Sequence, residues 1–174
     1  MQNKQYNNDN VIENKSIKVL MVCLGNICRS PAAQGVMQRL VDERHLESRI
    51  YLDSAGTYGG HAGDLPDYRM RSHAAKRGYN LTHRARRVTS ADFQDFDYIV
   101  AMDEGNRRTL TQMAATADEA HKIVMMGKFI RRYPHYDYVP DPYYEGAEGF
   151  ELVLDLLEDS CEALLDHILA EHRL

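Results

Sequence analysis

Nine residues, Cys23-Leu24-Gly25-Asn26-Ile27-Cys28-Arg29-Ser30-Pro31, constrain this chain more than any other stretch. An apolar run from Ile17 to Val22 leads into them and reads as a buried strand. Pro31 suits the first turn of the helical pattern that follows. A cysteine leaving a strand, a short loop and an arginine at a helix N-terminus together describe an oxyanion cradle. Successive backbone N–H groups from Leu24 to Cys28 turn inward as in an anion-binding nest, and the helix dipole adds partial positive charge. Arg29 contributes a planar fork that binds two oxygens of one phosphate. Gly25 and Asn26 tolerate the positive φ that such a loop requires. Ser30 can donate its hydroxyl to the Cys23 sulfur, which this field favours as a thiolate, the nucleophilic form. A site so built binds a phosphoryl group and attacks it.

The rest of the chain alternates strands and helices. Strand patterns fall at residues 17–23, 49–53, 97–102 and 122–126, with a turn out of the second at Ser54-Ala55-Gly56-Thr57. Helical patterns fall at 30–44, where Ala33, Val36, Met37, Leu40 and Val41 share a face, and at 65–77, ending before Gly78. Further helices are read at 90–93, 104–117 and 147–171, with a Tyr- and Pro-rich loop at 133–144. Such alternation implies right-handed crossovers and a parallel sheet. The expected fold is a single doubly wound α/β domain, a four-stranded parallel sheet of order 2-1-3-4 flanked by helices, similar to the flavodoxin-like arrangement. The cysteine loop is then the first βα turn, at the carboxyl edge of the sheet, where ligands bind in such folds.

With 174 residues and a net charge of −5, the sequence suits one mildly acidic domain and offers no global basic field for nucleic acid or membrane. Arg84, Arg86 and Arg87 form a local cluster, either a solvated face or a basic rim that attracts anionic substrates. Three cysteines, two of them in one loop, suit a reducing cytoplasm rather than a disulfide framework. No stretch approaches the roughly 18 apolar residues of a membrane span. Residues 1–16 are polar and Asn-rich and read as a disordered tail without a signal-peptide core; the domain is expected over 17–174, as a cytoplasmic monomer.

The run Val-Cys-Leu-Gly-Asn-Ile-Cys-Arg-Ser-Pro resembles the signature loop of the low-molecular-weight protein tyrosine phosphatases, and the likeness extends over about residues 17–172. That resemblance implies hydrolysis of phosphotyrosine in proteins, with Cys23 as nucleophile, Arg29 as phosphate clamp and a general acid from an Asp-Pro before the last helix. Asp141-Pro142-Tyr143-Tyr144 matches it. Proline biases Asp141 to an extended conformation, and Tyr143 and Tyr144 would wall the cleft. Asp137, in the same loop, lacks the following proline. Ser54 and His83 match positions that hydrogen-bond around Asn26, although a solvent-exposed loop histidine is the plainer alternative for His83. Asp103 matches an acidic position with no role readable from the sequence. Gly60 falls where many members carry an aromatic wall, and Tyr58 is the nearby substitute. No cofactor is implied. The eight histidines show no ligand spacing, so no metal is expected. Inorganic phosphate would be product and inhibitor.

Three other readings share the loop. Protein arginine phosphatases typically carry threonine where this chain has Ile27, and an apolar Ile27 favours a flat ring over a guanidinium. Arsenate reductases relay a disulfide through downstream cysteines, and here the only later cysteine, Cys161, lies on an apolar helix face. A phosphate-binding module without turnover would lack a catalytic group, and none is missing. Within the loop, Cys28 either protects an oxidised Cys23 by forming a disulfide with it or fills space behind the loop.

Overall fold

The computed structural model of the protein describes residues 15–174, so nearly all of the segment read as a tail lies outside the described residues. The strands are β1 (Ile17–Cys23), β2 (Ile50–Gly56), β3 (Tyr98–Ala101) and β4 (Ile123–Met125), in the order β2-β1-β3-β4. All pairings are parallel; Ile17 sits opposite Ile50, Cys23 opposite Gly56, Val19 opposite Tyr98 and Ile99 opposite Ile123. The helices are α1 (Arg29–Glu43), α2 (Tyr68–Lys76), α3 (Asp92–Asp95), α4 (Glu104–Met113), α5 (Ala117–His121) and α6 (Ala147–Glu171). This is the doubly wound α/β architecture expected from the alternation.

Both faces of the sheet are covered, which is why β1 is apolar and buried from Val19 to Cys23, with Lys18 partly exposed at its start. Successive side chains of a strand point to opposite faces. Val19 and Met21 join Val36, Met37, Leu154 and Leu157 in the core beneath α1 and α6, whereas Leu20 and Val22 meet Phe93, Phe96 and Leu110 on the other side. The packing leaves the carboxyl ends of β1 and β3 open, and the segments leaving them, residues 24–28 and 102–103, lie side by side.

Local structure departs from the sequence pattern in three places. β2 continues through Ser54, Ala55 and Gly56 instead of turning there, because these residues stay paired with Met21, Val22 and Cys23 of β1 and a segment distant in sequence bonds to the strand's end. Gly56 N–H donates to Arg86 O at 2.8 Å and Val88 N–H to Gly56 O at 2.8 Å. α2 starts at Tyr68 rather than Leu65: Leu65 precedes proline, which disfavours helical backbone, and the Asp67 side chain caps the helix by accepting from Arg69 N–H. The helix read over 104–117 ends as α4 at Met113, Ala114 being extended, and a separate short helix, α5, capped by Thr116, follows where the sequence pattern predicts none. The last helix, 147–171, forms as expected.

Leu154 is fully buried between α6 and the sheet. Leu154→Ala should lower the unfolding free energy by about 2–5 kcal/mol, the usual cost of such a cavity; urea denaturation measures it, and a loss under about 1 kcal/mol would mean that the core collapses into the space.

Candidate active site

Cys23 is the last residue of β1 and is buried. The chain then curls so that its carbonyls are taken by neighbours. Thr57 N–H donates to Cys23 O at 3.0 Å, Tyr58 N–H to Leu24 O at 2.8 Å and Asp67 N–H to Ile27 O at 2.8 Å. No backbone N–H of residues 24–28 donates to another group among the described residues, which leaves these N–H groups for an anion. Gly56 lets the loop come this close, since a Cβ there would lie 2.6 Å from Leu24 O.

Asn26 fixes the curl. Its φ is 57°, its side chain is fully buried, and its amide is saturated. Nδ2 donates to Ser30 Oγ at 2.8 Å and Ser54 Oγ at 3.0 Å, while Oδ1 accepts from Arg86 N–H at 3.0 Å and from His83 Nε2 at 3.0 Å. A backbone N–H can only donate, so Oδ1 is the acceptor and His83 carries its proton on Nε2. Ser30 Oγ in turn lies 3.0 Å from the Cys23 sulfur, and Ser54 donates to Gln34 Oε1 at 2.7 Å. Behind His83, the Arg86 guanidinium bridges Asp53 (3.0 Å) and Asp92 (2.9 Å). Arg86 is therefore structural, and of the basic cluster only Arg84 and Arg87 are exposed. Burial lowers the His83 pKa, the Arg86 charge adds to the effect, and Asp53 opposes it.

Arg29 opens α1 and is only 2% exposed. Its Nη1 donates to Asp103 Oδ2 at 2.6 Å and to Val139 O at 3.0 Å, and Nη2 lies 3.7 Å from Asp141 Oδ2. Burial works against its charge, but Cys23, Asp103 and Asp141 together outweigh burial and raise its pKa. Asp103, without a readable role in the sequence, is thus the counter-charge that aims the fork. It is itself fixed as the N-cap of α4, in a capping box with Asn106.

Cys23 and Arg29 form the floor of a cavity of about 220 Å3. Leu24, Gly25, Ile27 and Cys28 contribute the loop, and Asp141, Tyr143 and Tyr144 close one side. Asp141 is 40% exposed and its Oδ1 accepts from Tyr143 N–H at 3.1 Å. Tyr58 and His61 form the opposite side, ring edge to ring face at 6.4 Å. A Cβ at position 60 would lie 2.3 Å from the Tyr58 ring, so Gly60 is the socket in which that ring rests. Of the residues expected in the site, Cys23, Leu24, Gly25, Ile27, Cys28, Arg29, Tyr58, Asp141, Tyr143 and Tyr144 line this cavity, and Asn26, Ser30, Ser54, His83 and Asp103 are hydrogen-bonded behind it. His61, Gln34, Asp53 and Val139 were not legible, since nothing local marks them. Asp137 does not line the cavity. A wider groove of about 370 Å3 between α1 and residues 78–83 contains none of the cradle.

Cys28 and Cys161 are buried free thiols, and burial pushes both pKa values up. Cys161 faces α1, its sulfur 3.8 Å from Ala33 O, inside the core.

The family model of the low molecular weight phosphotyrosine protein phosphatases matches residues 18–174. The chain belongs to that family. A putative low molecular weight protein-tyrosine-phosphatase of Synechocystis is 46% identical over 149 residues, covering 86% of this chain and 94% of the relative. The crystal structure of a protein tyrosine phosphatase from Entamoeba histolytica superposes with a TM-score of 0.86 at 45% identity, covering 91% of this chain and all of that one. DARP, a Drosophila arginine phosphatase, superposes with a TM-score of 0.81 at 37% identity, covering 87% and 98% of the two chains. Among the described residues, no helix is long and apolar enough to cross a membrane.

His83 should make the loop pH-sensitive. Its folded pKa is depressed, so below the unfolded value of about 6.5 the unfolded chain takes up a proton that the native one refuses. The stabilisation is complete above about pH 6.5 and lost as pH falls through the folded pKa. His83→Gln keeps a donor for Asn26 and removes the titration. Urea unfolding from pH 7.5 to 5 should show a shallower loss for His83→Gln than for wild type, and equal slopes would dismiss the assignment.

Proposed function

We propose that this protein hydrolyses phosphotyrosine in proteins, and aryl phosphates generally, through a cysteinyl-phosphate on Cys23. The observation that carries the reading is the convergence of the Cys23 sulfur, the buried Arg29 fork and the Asp141 carboxyl on one aromatic-walled cavity. A ring enters between Tyr58 and Tyr143, and the three peripheral phosphoryl oxygens meet the loop amides and Arg29. Cys23 attacks phosphorus in line. The P–O bond to the phenol breaks, and Asp141, protonated, delivers its proton to the departing oxygen. Ser30 stabilises the sulfur whenever it carries negative charge. Water then enters the vacated side. Asp141, now a carboxylate, takes its proton, the S–P bond breaks, and inorganic phosphate leaves. The amides and Arg29 hold the equatorial charge in both steps, the contribution that is usually largest.

Protein arginine phosphatase activity is the second reading, favoured by the likeness to DARP. The buried apolar Ile27 beside the nucleophile and the aromatic walls favour an aryl group instead. Arsenate reduction is disfavoured, because Cys161 is locked in the core under α1. A monomeric, cytoplasmic enzyme that needs no metal or cofactor completes the proposal.

Hydrolysis of p-nitrophenyl phosphate should persist in EDTA and vanish with Cys23→Ser, and phosphotyrosine peptide should be preferred over phosphoarginine peptide by at least about tenfold in kcat/KM, near 1.4 kcal/mol. A reversed preference would select the second reading, and no turnover at all would leave a binding module. Asp141→Ala should lower kcat/KM more for phenyl phosphate than for p-nitrophenyl phosphate, because proton donation matters most when the leaving oxygen is basic. Equal losses would remove Asp141 from the donor role.

A further inference from the structure

We infer that Arg69 is a positioning residue for the proton donor: with Asp67 it clasps the loop that carries Asp141 to the loop that carries Cys23. The inference rests on the proposed role of Asp141. The clasp is an unbroken series of hydrogen bonds. Asp67 N–H holds Ile27 O of the cysteine loop at 2.8 Å. The Asp67 carboxylate receives the Arg69 guanidinium in a fork, Nε to Oδ1 at 3.0 Å and Nη2 to Oδ2 at 2.9 Å. The same Nη2 donates to Tyr143 O at 3.0 Å. Tyr143 N–H then holds Asp141 Oδ1 at 3.1 Å.

Two facts make this clasp matter to the acid. Residues 130–146 contain no helix or strand, so Asp141 depends on cross-links for its position. Upstream it is tied at Val139, whose N–H donates to Met102 O at 2.8 Å and whose carbonyl accepts from Arg29. Downstream the tie is Arg69, whose guanidinium also lies 5.4 Å from the Tyr143 ring centre and 4.8 Å from that of Phe150 at the start of α6. Between these two ties the Asp141 carboxyl makes, among the described residues, a single hydrogen bond, accepted from Tyr143 N–H, and lies 3.7 Å from Arg29 Nη2. An arginine is required because one planar group must serve a carboxylate and a carbonyl at once, while its face covers two rings; an ammonium cannot. Asp67 is held in place as the N-cap of α2, and the Arg69 hydrogen bond keeps its carboxylate ionised by lowering its pKa.

The test compares full-length wild type with Arg69→Ala, Arg69→Lys, Asp67→Asn and Asp141→Ala on aryl phosphates of increasing leaving-group pKa. Alkylation of Cys23 by iodoacetate, and protection from it by inorganic phosphate, report whether the cradle is intact. Arg69→Ala should steepen the decline of kcat/KM with leaving-group pKa, as Asp141→Ala does, losing about 10–100-fold on phenyl phosphate, the scale expected for an ångström of misplacement. Alkylation and phosphate protection should stay within about twofold of wild type, and Arg69→Lys should fall between. Asp67→Asn keeps the cap of α2 while removing the charge opposite Arg69, and should show the same steepening if Arg69→Ala proves unstable. A wild-type slope in Arg69→Ala or Asp67→Asn beside a steepened Asp141→Ala overturns the clasp and leaves the proposed function standing. Losses equal across the series, with slowed alkylation, overturn it in favour of a general structural role. An unchanged slope in Asp141→Ala removes the donor itself, and the inference with it.

Discussion

Everything at the carboxyl edge depends on the buried amide of Asn26. Its backbone lies in the left-handed region, a conformation that costs a non-glycine residue about 1–3 kcal/mol. The amide makes four hydrogen bonds, two donated and two accepted, each contributing about 1 kcal/mol. The partners come from α1, β2 and the segment after α2, so the shape of the loop is set by three separate pieces of the fold. Remove the amide and the left-handed turn between the carbonyls of Leu24 and Ile27, themselves held by Tyr58 and Asp67, loses its support. The N–H groups would then no longer converge. The strain is thus supported from behind, and the front of the loop stays free for a ligand.

The charges follow the same division. Arg29 is buried, and a buried cation needs fixed partners. Asp103 provides one from the N-terminus of α4, and the Val139 carbonyl another. The side of the guanidinium facing the cavity therefore remains available to an anion, while its orientation is already determined. Asp141 lies on that same side, its Oδ2 3.7 Å from Arg29 Nη2, beyond hydrogen-bond distance, which suits the donor role proposed for it.

What the sequence makes visible is what is local. β1, the cysteine loop and α6 are contiguous patterns, and the phosphate cradle can be derived from its residue types and its place between strand and helix. The Asp-Pro at 141–142 becomes meaningful only beside the resemblance. Features that depend on residues far apart in the chain are not visible. The extension of β2 to Gly56 depends on its register with β1 as far as Cys23, and Asp103 gains its role only when β3 brings it beside Arg29, 74 positions away. Arg86 belongs to a run of arginines that reads as a surface cluster until Asp53 and Asp92 close on it. His61 and Arg69 had no distinguishing pattern at all. The short helix α5 is different, since Thr116 followed by Glu119 is a cap legible in the sequence itself.

The socket at Gly60 makes one wall of the cleft adjustable. Tyr58 is 57% exposed and its ring occupies the volume that a side chain at position 60 would enter. A larger residue at 60 would displace the far end of an exposed side chain rather than backbone, so the ring would swing outward and the cleft would widen on that side while the cysteine loop stayed in place.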